Sequence, residues 1–423
     1  PIKQDGGYSL ELINPNDPCS DENNWTASTD ASGGTPGQVN SVHDLTPDMQ
    51  APNLSLLVAS APNYLQLWFD EGMDSSSLVN ALYQFSPALT PSMIYANGTY
   101  TNTVILQFSQ SLTPSQIYSI TLENATDCWT NSQALVGQFA LTETPLAGEL
   151  IVNEILQNPY NGGQDWIELY NNSNKIFNLK NIQFANFDND TISNFKVINE
   201  NHLLKPGGYA VVGKDSTFVK QYYPFHGVGT FVYAELPSYN NDSGSVYLYN
   251  ENQTLLDLVK YSNEWQFPLL DDVDGVSLER LDPNGESSNG MNWHSAAEAV
   301  QFGTPGLKNS QFLPVTVNGS FSLEGELFSP DMDGYLDVMQ ASYQLAQANC
   351  LGSVSIYDER GRLIRTLFKN QLMGTTGTFS WNGVKDDQTK ASIGIYVVVF
   401  EAFSLDGGLM YSGRKAVTLA GNL

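Results

Sequence analysis

The sequence predicts an all-β fold of several sandwich or barrel domains, and three observations support this prediction. The 423 residues suggest roughly three domains of about 100–200 residues each. Apolar segments are short, rich in β-branched and aromatic residues, and bounded by Gly, Asn, Asp and Pro, as strands are. Helical periodicity does not persist anywhere. The hydrophobic fraction of 41% is that of an ordinary globular protein, so a disordered chain is excluded.

The strand patterns are spread along the whole chain. The clearest of them occupy residues 64–69, 103–108, 245–249, 353–357 and 395–400. Two further segments, 75–83 and 217–223, are each predicted to form a turn or two of helix. Many short strands separated by turn signals are typical of sandwiches and barrels.

The charge balance is strongly acidic. Lys and Arg together number 18 against 45 Asp and Glu, which gives a formal net charge of -27. Such a field repels phosphate backbones and anionic lipid surfaces, so we expect no nucleic-acid partner. The longest apolar run, residues 395–400, is far too short to span a bilayer, so we expect no membrane insertion.

The cysteines exclude a disulfide framework. Only Cys19, Cys128 and Cys350 are present, far apart and without a Cys-x-x-Cys pair. One bridge, between Cys19 and Cys128, is left open. The chain starts at Pro1 without a charged and then apolar leader, so we expect any signal peptide to have been removed or to lie upstream.

An internal repeat relates two parts of the chain. Five blocks of residues 7–41, the first repeat, recur in order in residues 275–310, the second repeat. The matched blocks are 7–11 with 275–279, 14–16 with 282–284, 24–25 with 292–293, 34–37 with 303–306, and 40–41 with 309–310. The second repeat closes a longer unit that begins near Leu146. We therefore expect the chain to begin inside a domain and to be the C-terminal piece of a larger polypeptide.

A set of motifs in residues 146–310 points to one family. They are Val152-Asn153-Glu154-Ile155, Asp165-Trp166-Ile167-Glu168-Leu169-Tyr170-Asn171, Leu204-Lys205-Pro206-Gly207-Gly208-Tyr209, Ser277-Leu278-Glu279-Arg280, Asn292-Trp293 and Gly303-Thr304-Pro305-Gly306. On these motifs, residues 146–310 resemble bacterial lamin-tail domains. The resemblance implies an Ig-like β-sandwich in a secreted or surface protein, often one appended to a hydrolase or nuclease. Through the repeat, it also implies the C-terminal part of a second lamin-tail domain at residues 1–44.

Two other segments carry weaker family motifs. Leu67-Trp68-Phe69-Asp70-Glu71-Gly72-Met73-Asp74 is close to the pattern F-S-E-x-M-D, with Asp70 in place of Ser. Residues 48–144 therefore resemble the bacterial Ig-like domains of surface-layer and adhesin-type proteins. The C-terminal motifs are Phe328-Ser329-Pro330-Asp331-Met332-Asp333-Gly334, Val354-Ser355-Ile356-Tyr357-Asp358-Glu359-Arg360-Gly361-Arg362, Trp381-Asn382-Gly383, Gly394-Ile395-Tyr396 and Lys415-Ala416-Val417.

On those motifs, residues 315–423 resemble the C-terminal Ig-like domain of flagellar hook-capping proteins and the sorting domains of type IX secretion in Bacteroidetes. One departure is that the usual Gly is absent after Lys385-Asp386-Asp387. The resemblance implies a Bacteroidetes-type surface protein with a sorting role for this domain. Together, the resemblances predict tandem Ig-like β-sandwich domains at 1–44, 48–144, 146–310 and 315–423.

A search for catalytic constellations predicts no catalytic residue and no site for an organic cofactor. None of the four histidines lies in a zinc-binding pattern, and neither a nucleophile elbow nor a phosphate loop is present. Glu154 and Glu168 are the candidates for a pair of acids. Both lie on predicted strands, so a structural role, with carboxylates bonded to turn amides, is the favoured interpretation.

Calcium is the one metal that the sequence indicates. Asp331, Asp333 and Asp337 alternate around a Gly turn and offer several hard oxygens from one loop. An Asx-turn explains this spacing equally well. A second acidic turn, residues 271–274, is a weaker candidate for the same ion.

The sequence thus predicts a non-catalytic, secreted or cell-surface module with a structural and adhesive function, such as a spacer or an interaction region of a larger protein. The expected partner is a cell-surface or extracellular protein or glycan. One alternative is an accessory and sorting tail of a secreted hydrolase or nuclease whose catalytic domain lies upstream. Another is a glycan-binding module that uses exposed aromatic residues, for which Tyr222 and Tyr223 are the candidates.

Overall fold

The computed structural model describes residues 6–19, 24–224, 226–227, 230–313, 319–405 and 409–421. The chain divides into two compact units, Pro1–Glu143 and Thr144–Leu423. In the described ranges, both units consist mainly of strands, and each contains one short α-helix, which confirms the predicted all-β class of tandem β-sandwiches. No helix in the described ranges is both long enough and apolar enough to cross a membrane.

The first unit contains a small hairpin followed by a two-sheet sandwich. Its strands are β1 Leu10–Leu12, β2 Trp25–Ala27, β3 Leu54–Ser60, β4 Tyr64–Asp74, β5 Leu82–Ser86, β6 Pro91–Tyr95, β7 Tyr100–Phe108, β8 Ile117–Glu123 and β9 Leu135–Ala140. Strands β1 and β2 pair with each other, and the sandwich sheets have the orders β3-β4-β7-β6 and β5-β8-β9. Inward-facing residues such as Leu65, Leu67 and Phe108 form the apolar core between these two sheets.

One short helix and one disulfide complete the first unit. Helix α1, Ser75–Asn80, begins because the Asp74 side chain accepts hydrogen bonds from two backbone amides of its first turn. Cys19 and Cys128, left open in the sequence, form a disulfide with their Cα atoms 5.5 Å apart. The bridge ties the loop after β1 to the loop after β8, across 109 positions of sequence.

The second unit begins with the sandwich that contains the lamin-tail motifs. Its strands are β10 Leu150–Leu156, β11 Trp166–Asn171, β12 Phe177–Asn178, β13 Gln183–Asp188, β14 Thr191–Val197, β15 Leu203–Leu204, β16 Tyr209–Gly213, β17 Phe231–Tyr233, β18 Ser243–Tyr249, β19 Leu255–Ser262, β20 Leu278–Arg280 and β21 Trp293–Ser295. A six-stranded sheet, β17-β16-β11-β10-β20-β21, packs against the four strands β14-β13-β18-β19. Strands β10 and β11 are almost wholly buried, as central strands covered on both faces should be.

A second α-helix packs on the outer face of the six-stranded sheet. Helix α2, Ser216–Tyr222, starts at the N-cap Asp215, whose carboxylate accepts from the amides of Thr217 and Phe218. Phe218 and Val219 pack with Trp166 and Tyr223 in a separate small core. Both helical turns predicted from the sequence are therefore present as helices of two turns or fewer.

The remainder of the second unit is another two-sheet sandwich. Its strands are β22 Ser320–Leu323, β23 Leu327–Phe328, β24 Met339–Gln344, β25 Cys350–Asp358, β26 Leu363–Met373, β27 Thr376–Trp381, β28 Gly394–Ser404 and β29 Leu409–Leu419. The sheet orders are β22-β24-β27 and β23-β29-β28-β25-β26. The short β23 runs parallel to the last strand, β29. The Thr418 amide donates to the Glu326 carbonyl at 2.8 Å, and the Ala420 amide donates to the Phe328 carbonyl at 2.9 Å.

The two sandwiches of the second unit are joined by hydrogen bonds as well as by the chain. The Thr375 amide donates to the Ser310 carbonyl at 2.9 Å, and the Thr375 hydroxyl donates to the Phe312 carbonyl at 2.8 Å. The Gln311 side chain, which is fully buried, donates to the Met373 carbonyl at 3.2 Å. The turn before β27 is thus fixed to the end of the second repeat.

Candidate functional site

Three glutamates lie side by side in the six-stranded sheet and form what we call the carboxyl cluster: Glu154, Glu168 and Glu279. Glu154 in the central strand β10 pairs in register with Glu168 of β11 on one side and with Glu279 of β20 on the other. Residues directly opposite each other in a sheet place their side chains on the same face. All three carboxyl groups are 0% exposed.

The loop Gly303-Thr304-Pro305-Gly306 provides backbone hydrogen-bond donors to this cluster. The Thr304 amide donates to Glu154 at 2.9 Å, and the Gly306 amide donates to Glu168 at 2.5 Å. Gly306 has a φ of +79°, and a Cβ atom there would meet the Thr230 side chain at 2.2 Å, so the loop requires glycine at this position. The sequence-based interpretation of Glu154 and Glu168 as carboxylates bonded to turn amides agrees with this geometry.

Hydrogen-bond donors in the second repeat and beside it complete the cluster. The Ser277 hydroxyl donates to Glu154 at 2.5 Å, and Ser310 and the Gln311 amide donate to Glu279 at 2.8 and 2.7 Å. The Asn153 amide group donates to Glu168 at 2.7 Å. The family motifs, which are scattered over more than 150 residues of sequence, therefore meet at one buried site.

The geometry of the cluster favours a proton on one of its carboxyl groups. The Thr304 hydroxyl lies 2.7 Å from Glu279 and 3.2 Å from Glu154, but it has one hydrogen to donate. The contact with Glu154 is therefore satisfied when that carboxyl is protonated and donates to the hydroxyl oxygen. Burial, aided by the charge of Glu279, raises the pKa of Glu154 to about 8, and burial also raises the pKa of Glu168 and of Glu279.

The positive charge nearest in sequence does not neutralise the cluster. Arg280 follows Glu279 in β20, so its side chain points to the opposite face of the sheet. There its guanidinium binds Asp257 at 3.1 Å and the Val152 carbonyl at 2.9 Å. Ser287 contacts both Arg280 and Asp257, and this buried ion pair is a separate structural element.

The first repeat contains the counterpart of Glu279 in a different environment. Glu11 accepts from the Thr35 hydroxyl and from both the amide and hydroxyl of Ser41, each at 2.7 Å. Burial acts to raise its pKa, but the hydrogen bonds, led by that of Ser41, outweigh burial and lower the pKa to about 2. The same motif therefore holds an ionised carboxylate in the first repeat.

The predicted calcium ligands Asp331, Asp333 and Asp337 lie together in one loop between β23 and β24. Their carboxylate oxygens are within 4.8 Å of one another. They also accept backbone hydrogen bonds: Asp337 accepts from the amides of Met332 and Gly334 at 2.6 and 2.9 Å. Both interpretations made from the sequence, a cation site and a loop of Asx-turns, are compatible with this arrangement.

The second acidic turn has internal partners. The Asp274 amide donates to the Asp272 carboxylate at 3.0 Å, and Asp274 accepts from the Asn158 side chain at 2.9 Å. These contacts order the turn that precedes the second repeat, in which Asp272 caps an Asx-turn. The weaker calcium candidate at residues 271–274 stays a prediction.

An acidic group that sequence reasoning missed lies in the first unit. Asp48, Glu71 and Asp127 come from a linker, from β4 and from the loop after β8, and their oxygens lie within 4.8 Å of one another. Burial, followed by the charges of Asp127, Asp48 and Asp70, raises the pKa of Glu71 to about 8. Asp127 is bonded to the amides of Trp129 and Asn131, each at 2.8 Å. No local sequence signal links these three residues, because only the fold brings them together.

Tyr222 and Tyr223, the aromatic candidates for glycan binding, pack against other parts of the protein. Tyr223 is 0% exposed, and its hydroxyl donates to the Gly275 carbonyl at 2.9 Å. Tyr222 packs against Tyr160 and Phe218, with ring centroids 5.0 and 4.6 Å apart. Tyr223 is therefore a core residue and cannot present its ring to a sugar, so the expectation of a platform that uses it was wrong.

Comparisons with known proteins found one family match and several solved structures with low overall similarity. The family model of the Lamin Tail Domain matches residues 143–263. No curated protein sequence matches the chain. Solved structures of similar fold include a DUF4876 family protein from Bacteroides thetaiotaomicron VPI-5482, with 15% identity over 51% of this chain and 85% of that one and a TM-score of 0.23.

Two further solved structures are similar to parts of the chain. The N-terminal part of the bacterial S-layer protein SbsC shares 9% identity over 50% of this chain, with a TM-score of 0.20. This chain spans 44% of that S-layer chain. The FN1–FN3 domains of chicken CNTN1 share 7% identity over 87% of this chain and 99% of that one, with a TM-score of 0.17. The sheets of the chain itself define its class as that of tandem β-sandwich proteins, and part of the chain, residues 143–263, matches the Lamin Tail Domain model.

Proposed function

We propose that this chain is a non-catalytic structural and adhesive module of a secreted or cell-surface protein, which spaces or joins other parts of an extracellular assembly. The observation that carries the proposal is the state of the carboxyl cluster. These acids have the perturbed pKa values that are typical of catalytic groups. They are nevertheless closed to solvent and bonded to the loop 303–306, so they hold strands together instead of meeting a substrate.

The charge and the family resemblances support an extracellular role. A net charge of -27 keeps such modules soluble and apart from anionic surfaces. The lamin-tail, bacterial Ig-like and hook-capping resemblances each imply a secreted or surface protein. A sorting role for residues 315–423, and attachment to an upstream hydrolase or nuclease, are finer proposals that rest on those resemblances alone.

Two assays test the proposal on the full chain. In the first, fluorogenic esters, glycosides and phosphodiesters are incubated with the chain and with Glu154→Gln and Glu168→Gln variants. We expect equal background rates, and turnover that the variants lose would contradict a non-catalytic role. In the second, arrays of extracellular proteins and polysaccharides are probed with labelled chain. We expect retention on at least one surface, and retention on none would contradict the adhesive role.

We also propose that Asp331, Asp333 and Asp337 bind calcium. The support is that three carboxylates lie within 4.8 Å of one another in one exposed loop. Calorimetric titration of the full chain with CaCl₂ should show a site that Asp333→Asn and Asp337→Asn both weaken. Asp271→Asn, in the other acidic turn, is the matched control and should leave the site unchanged. An isotherm that neither loop variant alters would contradict the assignment.

A further inference from the structure

We propose that the sandwich with the carboxyl cluster binds a neutral polysaccharide in a groove beside the hairpin of β13 and β14, centred on Phe187. The inference rests on the adhesive function proposed above and gives its partner a chemical class. Three cavities of about 300, 480 and 410 Å³ form this groove. The middle cavity shares Lys214 and residues 236–238 with the first and Phe187 with the third, so the three lie in a row. Each has the size of an ordinary ligand site, and a row of them suits a linear polymer of repeated units.

Phe187 is an exposed aromatic residue that lines two of the three cavities. It is 53% exposed. Its backbone is held in place, because it pairs with Ile192 of β14 and its amide donates to the Ser245 hydroxyl at 3.0 Å. The face of an aromatic ring carries partial negative charge and attracts the partly positive C–H groups on the face of a sugar ring. Phe187 can therefore stack against one sugar unit while the neighbouring units enter the cavities.

Amide side chains provide hydrogen-bonding groups in the middle cavity, which Asn186, Asn194 and Asn240 line. The Asn194 side chain donates to that of Asn186 at 2.9 Å, and the Asn186 side chain donates to the Ser238 carbonyl at 2.9 Å. These bonds fix the orientation of both amides and use one N–H of each, whereas an amide group has two N–H donors and an acceptor oxygen. A sugar hydroxyl also donates and accepts, so it matches the chemistry of this cavity.

The charges that line the groove balance one another. They belong to three lysines and three acids: Lys196, Lys214, Lys260, Asp165, Asp188 and Glu235. Glu235 binds Lys196 at 2.7 Å and Lys214 at 3.0 Å, so part of this charge is neutralised by direct contact. The groove thus has no net formal charge, although the whole chain has a net charge of -27. An anionic polymer is repelled by the field of the chain and finds no excess of cations here, whereas a neutral polymer meets no repulsion.

The lining of the middle cavity favours a sugar polymer over a protein partner. Eight of the eleven residues that line it have polar or charged side chains, and Phe187 is its one aromatic residue. The centre of a protein–protein interface is instead apolar, enriched in aromatic residues and depleted of charged ones. A polar cavity beside a single exposed ring is thus better matched to a ligand that carries a hydroxyl on most of its carbon atoms.

Native electrophoresis of the full chain in gels that contain a soluble polysaccharide tests the proposal. The neutral probes are laminarin, xyloglucan and galactomannan, and the anionic probe is polygalacturonate. We expect at least one neutral polymer to retard the chain relative to a gel without polymer, and polygalacturonate to have no effect. Migration that no neutral polymer changes, or retardation by polygalacturonate alone, would overturn the proposal.

Two phenylalanines of the same hairpin form a matched pair of variants that locates the site. Phe187→Ala removes the stacking ring and should weaken binding about tenfold, whereas Phe187→Trp should keep it. Phe195→Ala is the control: Phe195 is 51% exposed, lines none of the three cavities and packs against Tyr249, with ring centroids 5.9 Å apart. Equal binding by the two Ala variants would overturn the assignment of the site.

A variant of the middle cavity tests the amides. Asn194 has a φ of +57°, which glycine adopts freely, so Asn194→Gly removes the amide without straining the backbone. It should weaken binding, and unchanged binding would contradict the role of this cavity. Arrays of extracellular proteins separate the inference from the adhesive function on which it rests. Retention on a protein that Phe187→Ala leaves intact, with no binding of polysaccharide, would overturn the inference and leave the adhesive function standing; retention on neither would contradict both.

Discussion

Substitution of Glu154 by Gln tests the proton held in the carboxyl cluster. The Gln carbonyl can accept from Ser277 and from the Thr304 amide, and its amide group can donate to the Thr304 hydroxyl, which has no second hydrogen of its own. The variant thus imitates the protonated glutamate, and it cannot ionise. We expect it to fold normally and to resist alkaline pH better than the wild type.

The magnitude follows from the pKa of Glu154, which rises from 4.5 to about 8 on folding. Between these values the folded domain holds a proton that the unfolded chain releases, so the free energy of unfolding falls as pH rises from about 5 to 8. At 1.36 kcal/mol per pKa unit, the loss reaches about 5 kcal/mol. That is a large part of the roughly 5–15 kcal/mol that stabilises a typical domain.

Scanning calorimetry of the full chain between about pH 5 and pH 8 measures this effect. In the wild type, the midpoint of the transition that includes the sandwich with the carboxyl cluster should fall by about 10 °C. The Glu154→Gln variant should show a much smaller decline, with a residual slope from Glu168 and Glu279, whose pKa values are also raised. Glu264→Gln, at an exposed position of the same sandwich, is the control and should behave as the wild type.

Two results would refute the reasoning. A wild-type midpoint that does not change over this pH range would show that Glu154 gains no proton on folding. If the midpoint of the Glu154→Gln variant falls with pH as steeply as that of the wild type, another group causes the pH dependence.

Three other substitutions probe separate parts of the structure. Replacing both Cys19 and Cys128 by Ser opens a loop of 109 positions and should lower the free energy of unfolding of the first unit by about 2–5 kcal/mol. The urea midpoint of that unit should fall accordingly, and an unchanged midpoint under oxidising conditions would contradict the bridge. Arg280→Ala leaves the buried Asp257 without its cation and should lower the free energy of unfolding by about 3–5 kcal/mol. A loss below about 1 kcal/mol would show that the ion pair is dispensable for stability. Gly306→Ala forces a Cβ against a neighbour at positive φ and should cost more than about 1 kcal/mol in thermal stability; a neutral effect would mean that the loop adapts freely.

The architecture could be predicted from the sequence where the signal is local. All five strand patterns lie within strands, as residues 353–357 do within β25, because β-branched and aromatic runs fit a pleated buried surface. Asp74 and Asp215 cap the two short helices, whose positions depend on the same kind of local preference. The domain boundaries rest on resemblance and composition, and they stay predictions.

The candidate sites could be predicted only in part, because their members meet through long-range pairing. Glu154 and Glu168 were singled out, but nothing in the spacing shows that Glu279 completes the cluster or that Thr304, 150 positions from Glu154, bridges two of the acids. The acidic group of Asp48, Glu71 and Asp127 is likewise brought together only by long-range pairing in the fold. Tyr223 was misplaced because an aromatic pair at the end of a short helix is equally compatible with an exposed surface and with a small core.

The parallel pairing of β23 with β29 has a mechanical consequence for a chain that carries load. Tension applied across the last sandwich, between β22 and the end of β29, would pull β23 and β29 in opposite directions along their length. The bonds from Thr418 and Ala420 then lie across the line of force and must break together, whereas an antiparallel hairpin pulled from its open end loses its bonds one at a time. Under such tension we therefore expect this short pair to resist extension before the longer ladders behind it are loaded.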